Sequence, residues 1–195
     1  MSTRSMSLPP LSLQNLGAAL TTTARAAGLS GTGLAVIRIL TGYLWYTQLS
    51  WKVPWTMAGA HALHGYIVTE SKYAGFAPYR GFISQVILPH FTLVSYLTYF
   101  TEMALAISLI LGVFTRLGGL VGTVWATQLY LGLAIAPGEW YWTYGMLVLI
   151  NAVAWVAATG RWWGVDQWLR PRVTHVMQTG SPRRQAIAQW VQRAT

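Results

Sequence analysis

The sequence predicts an all-α integral membrane protein, a four-helix bundle with a long extracytoplasmic loop between its first and second helices. Charged residues make up only 9% of the 195 residues, and hydrophobic residues make up 54%. An ordinary soluble domain carries roughly 25% charged residues. The 11 Trp and 10 Tyr residues suit a membrane–water interface, where an apolar ring carries a polar edge. This composition argues against a soluble enzyme, a disordered tail and a coiled coil.

Four apolar windows supply the helices of the predicted bundle. A helix needs about 20 apolar residues to cross the hydrocarbon core of a bilayer. Windows of that length run over about 33–51, 91–114, 117–136 and 141–159. Each is apolar around most of its circumference, which favours a membrane helix over an amphipathic surface helix. Gly118 and Gly122, four residues apart in the third window, indicate close helix packing.

The Lys and Arg residues orient the four crossings, because cytoplasmic segments carry an excess of these residues. Nine lie on one predicted side: Arg4, Arg25, Arg116, Arg161, Arg170, Arg172, Arg183, Arg184 and Arg193. Three lie on the other side: Lys52, Lys72 and Arg80. Both termini are therefore predicted to be cytoplasmic, in the inner cell membrane. The basic tail then faces anionic lipid, and we expect no nucleic-acid partner despite the net charge of +9.

Three segments organise the chain. We expect a cytoplasmic lead-in over 1–31, with a surface helix that could form from Leu11 to Ala27. The transmembrane domain covers 32–160, and a basic cytoplasmic tail covers 161–195. The loop over 52–90 is rich in aromatic residues, so we expect it to be ordered, with a short helix from Ala58 to Val68. It either caps the outer mouth of the bundle or lies in the membrane interface.

Two ionisable residues fall inside the predicted crossings, Arg38 and Glu102. Such residues usually face the bundle interior, and an unpaired buried charge costs several kcal/mol. We therefore expect Arg38 to pair with Glu102. The pair could simply fix helix register, or it could handle protons. Gln128 and Asn151 bring amides to the same middle layers of the bundle.

Reduction of a quinone consumes protons, and a buried carboxylate is a natural proton relay. In this hypothesis Glu102 relays protons, and Arg38 sets the charge state of Glu102. The side chains that could hold the quinone carbonyls are Gln48, Tyr99, Gln128 and Asn151. The chain has no cysteine, which excludes Cys-ligated iron–sulfur clusters and the C-x-x-C-H haem motif. We expect no haem, flavin or metal in this chain, since His61 and His64 lack a third ligand.

Several stretches resemble a known family over about residues 32–170. Trp51-Lys52 ends the first crossing, and Glu102 precedes LILGVFTR at 109–116. The other matching stretches are 73–82 (YAGFAPYRGF), 139–144 (EWYWTY) and 160–166 (GRWWGVD). Together they resemble the DoxX/DoxD membrane proteins, and in particular the DoxD-type subunit of thiosulfate:quinone oxidoreductase.

This resemblance implies a four-helix membrane bundle that passes electrons from thiosulfate to a membrane quinone and forms tetrathionate outside the cytoplasm. It also implies a second, smaller subunit, although a homo-oligomer is the other option. Thiosulfate is a dianion, and Lys52, Lys72 and Arg80 on the outer side could bind it. The alternative is a non-catalytic subunit that anchors or organises a larger respiratory or photosynthetic complex. A small-solute transporter is a third option, although no internal repeat supports it.

Overall fold

The computed structural model describes residues 31–195, and the chain is helical without strands over that range. Its helices are α1 (Gly31–Thr47), α2 (Met57–Tyr73), α3 (Ala77–Phe82), α4 (Phe91–Leu111), α5 (Thr115–Leu133), α6 (Tyr141–Ala157), α7 (Val165–Thr179) and α8 (Pro182–Ala194). The predicted all-α class is confirmed. The N-terminal lead-in and the surface helix expected from Leu11 to Ala27 lie outside the described residues.

The four apolar helices α1, α4, α5 and α6 pack side by side, and each contacts the next around a closed ring. Their shared core contains the buried side chains of Trp45, Leu105, Leu109, Ala126 and Ala154. Large apolar side chains on the outward faces of the same helices stay exposed. The ring therefore has an apolar interior and an apolar exterior.

Small residues let α5 approach its neighbours closely. A Cβ atom on Gly122 would overlap the amide of Asn151 on α6, and one on Gly118 would overlap the hydroxyl of Ser108 on α4. The close packing predicted from the spacing of these two glycines is confirmed.

The segment between the first two predicted crossings is mostly helical. We expected a long loop there with a short helix from Ala58 to Val68, and that helix extends over Met57–Tyr73. Thr56 begins α2 and its hydroxyl accepts a hydrogen bond from the Gly59 amide (3.1 Å). Beyond α2, the chain is helical from Ala77 to Leu111, because a π-helical turn (Ile83–Ile87) and a 3₁₀ turn (Leu88–His90) join α3 to α4. Irregular turns of this kind accommodate Pro89 without ending the helix.

One helix in the described part of the chain, Ala77–Leu111, is long and apolar enough to cross a membrane. Tyr141–Ala157 is apolar but shorter. The second crossing was predicted to begin near residue 91, and the helix that contains it begins earlier. The boundary differs because the apolar residues Phe82, Ile83 and Val86 continue the helix upstream.

Asp166 joins the start of α5 to the start of α7. Its carboxylate accepts hydrogen bonds from the Phe114 amide (2.8 Å), the Thr115 amide (2.9 Å) and the Thr115 hydroxyl (2.6 Å). The Asp166 amide donates to the carbonyl of Gly112 (2.9 Å), the residue that ends α4 in the left-handed region. Asp166 therefore satisfies amides that the first turn of a helix leaves unpaired.

Arg38 donates hydrogen bonds to backbone carbonyls at the same end of the ring. It is fully buried, and its guanidinium donates to the carbonyls of Thr159 (3.0 Å), Trp162 (2.9 Å) and Trp163 (3.2 Å). The predicted Arg38–Glu102 pair is therefore wrong. Arg38 instead holds the turn after α6 against α1.

We expect Asp166→Ala to lower the free energy of unfolding by about 2–4 kcal/mol, because three buried donors lose their acceptor. The measurement is equilibrium unfolding in mixed detergent micelles. Gln167→Ala, at the exposed neighbouring position, is the control and should stay close to wild type. Equal stability of the two variants would show that the Asp166 contacts contribute little.

Candidate functional site

A cavity of about 950 Å³ lies beneath α2, between that helix and the ring of apolar helices. Its volume falls within the range of small-molecule sites. Aromatic side chains form much of its wall: Trp45, Trp51, Tyr66, Tyr79, Phe82, Trp125, Trp140, Trp142 and Tyr144. Leu63 and Ile67 hold α2 over the cavity by packing against Ile83 of the π-helical turn.

A buried ion pair reaches this cavity from two helices. Lys52, just after α1, donates a hydrogen bond to Oε1 of Glu102 on α4 (2.7 Å), and its Nζ lies 2.5 Å from Oε2. Only 5% of Lys52 and 1% of Glu102 are exposed. The Trp125 indole donates a longer bond to Glu102 (3.4 Å), and the Lys52 ammonium lies 4.7 Å from the Trp51 ring centroid. The pair is thus a desolvated acid–base couple at the cavity wall.

A second carboxylate enters the cavity from α2. Glu70 accepts a hydrogen bond from the Gln128 amide (2.9 Å), which also donates to the Tyr79 hydroxyl (2.8 Å). Gly132 of α5 makes room for it, since a Cβ atom there would lie 2.8 Å from the Glu70 carboxyl carbon. Glu70 is 5% exposed. The cavity therefore holds two buried carboxylates on different helices.

Acidic residues dominate the charge of the cavity. Three of the four acidic residues in the chain line it, Glu70, Glu102 and Glu139, and among residues 31–195 the cation that lines it is Lys52. Glu139 accepts a hydrogen bond from the Tyr144 hydroxyl (2.7 Å). An excess of carboxylates repels an anionic ligand and favours a neutral one.

The structure brings only part of the predicted site together. Of the predicted residues, Gln48, Lys52, Glu102 and Gln128 line the cavity. Arg38 lies at the far end of α1, among the backbone carbonyls described above.

The other predicted residues lie outside the cavity wall. Asn151 is fully buried and accepts a hydrogen bond from the Trp45 indole (3.2 Å). Tyr99 packs edge-on against Trp55, with ring centroids 5.1 Å apart. Lys72 is exposed, and Arg80 donates to the Ala74 carbonyl (2.6 Å).

Glu70, Tyr79 and Trp125 line the cavity but were not among the site residues predicted from the sequence. A signal for Glu70 was present, because Leu63, Ile67 and Glu70 recur at the spacing of one helix face. Buried apolar neighbours on that face place the carboxylate inward. The helix that we predicted in this segment ended at Val68, so Glu70 was assigned to the loop that follows it.

Glu70 makes the stability of the protein depend on pH. Burial raises the pKa of Glu70 from 4.5 to about 7, against the opposing effects of the Gln128 hydrogen bond and the Lys52 charge. The folded state then binds more protons than the unfolded state between these two values, so the free energy of unfolding falls as pH rises through that window. The expected loss is roughly 3 kcal/mol, at 1.36 kcal/mol per pKa unit.

Glu70→Gln should remove this contribution, and unfolding measured from pH 4.5 to pH 8 tests it. The wild type should lose more stability across the window than the variant. Lys72→Gln on the same helix keeps Glu70 and should keep the wild-type slope. The same slope in Glu70→Gln as in wild type would mean that Glu70 titrates normally.

Comparison with known proteins gives one family. The sequence profile of DoxD, described as "TQO small subunit DoxD", matches residues 63–181. A search of curated proteins and a search of solved structures each found no match. The profile covers more than half of the chain, from within α2 to just beyond α7, and it includes Glu70, Glu102 and Gln128. The chain therefore belongs to the DoxD family.

Proposed function

We propose that the chain is the membrane subunit of a quinone-linked oxidoreductase, which receives electrons from thiosulfate and reduces a membrane quinone in the cavity beneath α2. The observation that carries the proposal is the buried Lys52–Glu102 couple at the wall of this aromatic cavity. Membership of the DoxD family supports the choice of thiosulfate and quinone.

The four apolar helices α1, α4, α5 and α6 cross the inner membrane in this proposal. Their outward faces carry exposed apolar side chains such as Leu40, Leu97, Val124 and Leu149, and lipid is the environment in which such faces are stable. α2 covers the outer side, and α7 and α8, with their arginines, lie on the cytoplasmic side.

The cavity suits a quinone better than it suits thiosulfate. A quinone is neutral and planar, so it can stack on the aromatic walls. It also avoids the repulsion that the net negative charge of the cavity exerts on a dianion. Leu44 of α1 and Ile150 of α6 line the same cavity. They provide an apolar path between helices by which a quinone could reach it from the bilayer.

The side chains at the cavity wall supply the protons of the reaction. A quinone that accepts two electrons and two protons becomes a quinol, and the coupling of two thiosulfates to tetrathionate releases two electrons. The Lys52 ammonium, held in place by the Glu102 carboxylate, donates a proton to one quinone oxygen. The neutral Lys52 amine then regains a proton from water on the outer side, which Glu102 takes up and passes on. Glu70, which accepts a hydrogen bond from Gln128, lies on α2. In its protonated form it donates the second proton to the other quinone oxygen.

Thiosulfate is oxidised outside the cavity in this proposal, where a larger partner subunit meets the chain. We expected a second, smaller subunit, but the family is itself described as a small subunit. We therefore place at least one larger protein beside the chain. Glu102 neutralises Lys52 and Arg80 is bonded to the Ala74 carbonyl, so Lys72 is the predicted outer cation with the greatest freedom to attract the anion.

Glu102→Gln should lower kcat for quinone reduction by about 10²-fold or more, because the proton relay is lost. The assay is thiosulfate-dependent reduction of a quinone analogue by membranes that retain the co-purifying subunits. The double variant Lys52→Met/Glu102→Gln removes both charges, so it should stay close to wild-type stability and remain inactive. Full activity in Glu102→Gln would exclude the proposed role of Glu102. If the wild-type complex shows no turnover at all, the chain is better explained as a purely anchoring subunit.

Lys72→Met should raise the KM for thiosulfate by up to about fivefold and leave kcat unchanged, because an exposed charge contributes about 1 kcal/mol or less. Steady-state kinetics at low ionic strength measure the effect. Lys72→Arg keeps the charge and should behave as wild type. A fall in kcat with unchanged KM would place Lys72 in the chemical step and contradict its proposed role.

A further inference from the structure

Three arginines from three different elements meet at the end of the ring opposite the cavity. They are Arg116 in the first turn of α5, Arg161 in the 3₁₀ turn Thr159–Arg161, and Arg170 in α7. The charges of Arg170 and Arg116 reinforce burial in lowering the pKa of Arg161 to about 10. Three like charges are thus within electrostatic range of one another.

Hydrogen bonds between neighbouring residues hold these elements together. Thr115 contacts Asp166 through its amide and its hydroxyl, and the Gly160 amide donates to the same hydroxyl (3.0 Å). Arg116 follows Thr115, and Arg161 follows Gly160. Arg170 lies one helical turn after Asp166, on the same face of α7. The backbone that surrounds Asp166 therefore fixes the spacing of the three arginines.

The protein leaves the positive charges of this cluster largely uncompensated. Asp166 is the acidic residue beside them, and its oxygens already accept three hydrogen bonds. Within residues 31–195, no side-chain hydrogen bond or ion pair involves the three guanidinium groups. The Nε atoms of Arg116 and Arg161 are buried and have no acceptor in that part of the chain. A donor without an acceptor is unfavourable, and no protein group competes with an external acceptor for these guanidinium groups within residues 31–195.

We propose that Arg116, Arg161 and Arg170 form a binding site for a phosphate group, carried by a phospholipid headgroup or by free phosphate. Guanidinium groups bind phosphate oxygens in pairs, and the non-bridging oxygens of a phosphodiester or of free phosphate have lone pairs enough to accept from three of them. Trp163 and Trp168, near Arg161 and Arg170 in the chain, are 67% and 70% exposed. Exposed tryptophans are typical of the headgroup layer, which is where a headgroup phosphate would lie.

The test measures thermal unfolding of the full chain in mild detergent with three additions: phosphatidylglycerol, phosphatidylcholine or inorganic phosphate. We expect phosphatidylglycerol or inorganic phosphate to raise the Tm of the wild type by on the order of 5 °C. Phosphatidylcholine, whose headgroup is neutral overall, should raise it less. A shift with phosphatidylglycerol alone identifies the lipid source, and an equal shift with inorganic phosphate identifies the free anion. No shift with either would overturn the proposal.

Variants separate this site from general surface charge. Arg116→Gln/Arg161→Gln should lose the shift, and its Tm without additions should not fall, because like-charge repulsion is relieved. Arg183→Gln/Arg184→Gln removes the same charge from the first turn of α8 and should keep the shift. Equal loss in both double variants would show a diffuse basic surface and would contradict the proposal.

A second measurement uses only the wild-type protein, so its result does not depend on whether a variant folds. Native mass spectrometry should detect one phosphatidylglycerol retained per chain at lipid concentrations where phosphatidylcholine is not retained. If both lipids are retained to the same extent, the site does not select an anionic headgroup and the proposal is wrong.

Discussion

The buried ion pair between Lys52 and Glu102 constrains the rest of the molecule. Either charge alone would be costly so far from water, so the end of α1 and the middle of α4 must stay in register. Trp125 adds a contact from α5 to the same carboxylate. Three segments of the ring therefore meet at one point, and the cavity wall is built around it.

The two ends of the helix ring differ in charge. Glu70, Glu102 and Glu139 line the cavity, whereas the opposite end gathers Arg38, Arg116 and Arg161 with the single carboxylate of Asp166. This separation follows from the sequence, in which most arginines flank the helices on one side. The charge of the cavity and the charge of the opposite end thus follow from one distribution of residues along the chain.

Hydropathy was sufficient to locate the four apolar helices α1, α4, α5 and α6, because apolar length is a local property of the sequence. The partners of long side chains were harder to predict. Helical rise gives the depth of Arg38 and Glu102, but it does not show that Arg38 reaches the carbonyls of Thr159 and Trp162 while Lys52, just outside the first crossing, reaches Glu102. Glu70 was missed because the helix predicted from Ala58 to Val68 ended before it, whereas the helix extends to Tyr73. Helical periodicity over Leu63, Ile67 and Glu70 would have placed it inside.

The contacts of Arg38 and Asp166 show how the C-terminal region relates to the helices before it. The boundary predicted between residues 160 and 161 falls in the middle of this network, because α5 takes its N-terminal cap from Asp166 and Arg38 takes two of its three acceptors from Trp162 and Trp163. A fragment that ended at residue 160 would leave the Arg38 guanidinium without two of its acceptors and the Phe114 and Thr115 amides without their cap. The folding unit accordingly extends into α7, and any excision of the tail has to begin beyond it.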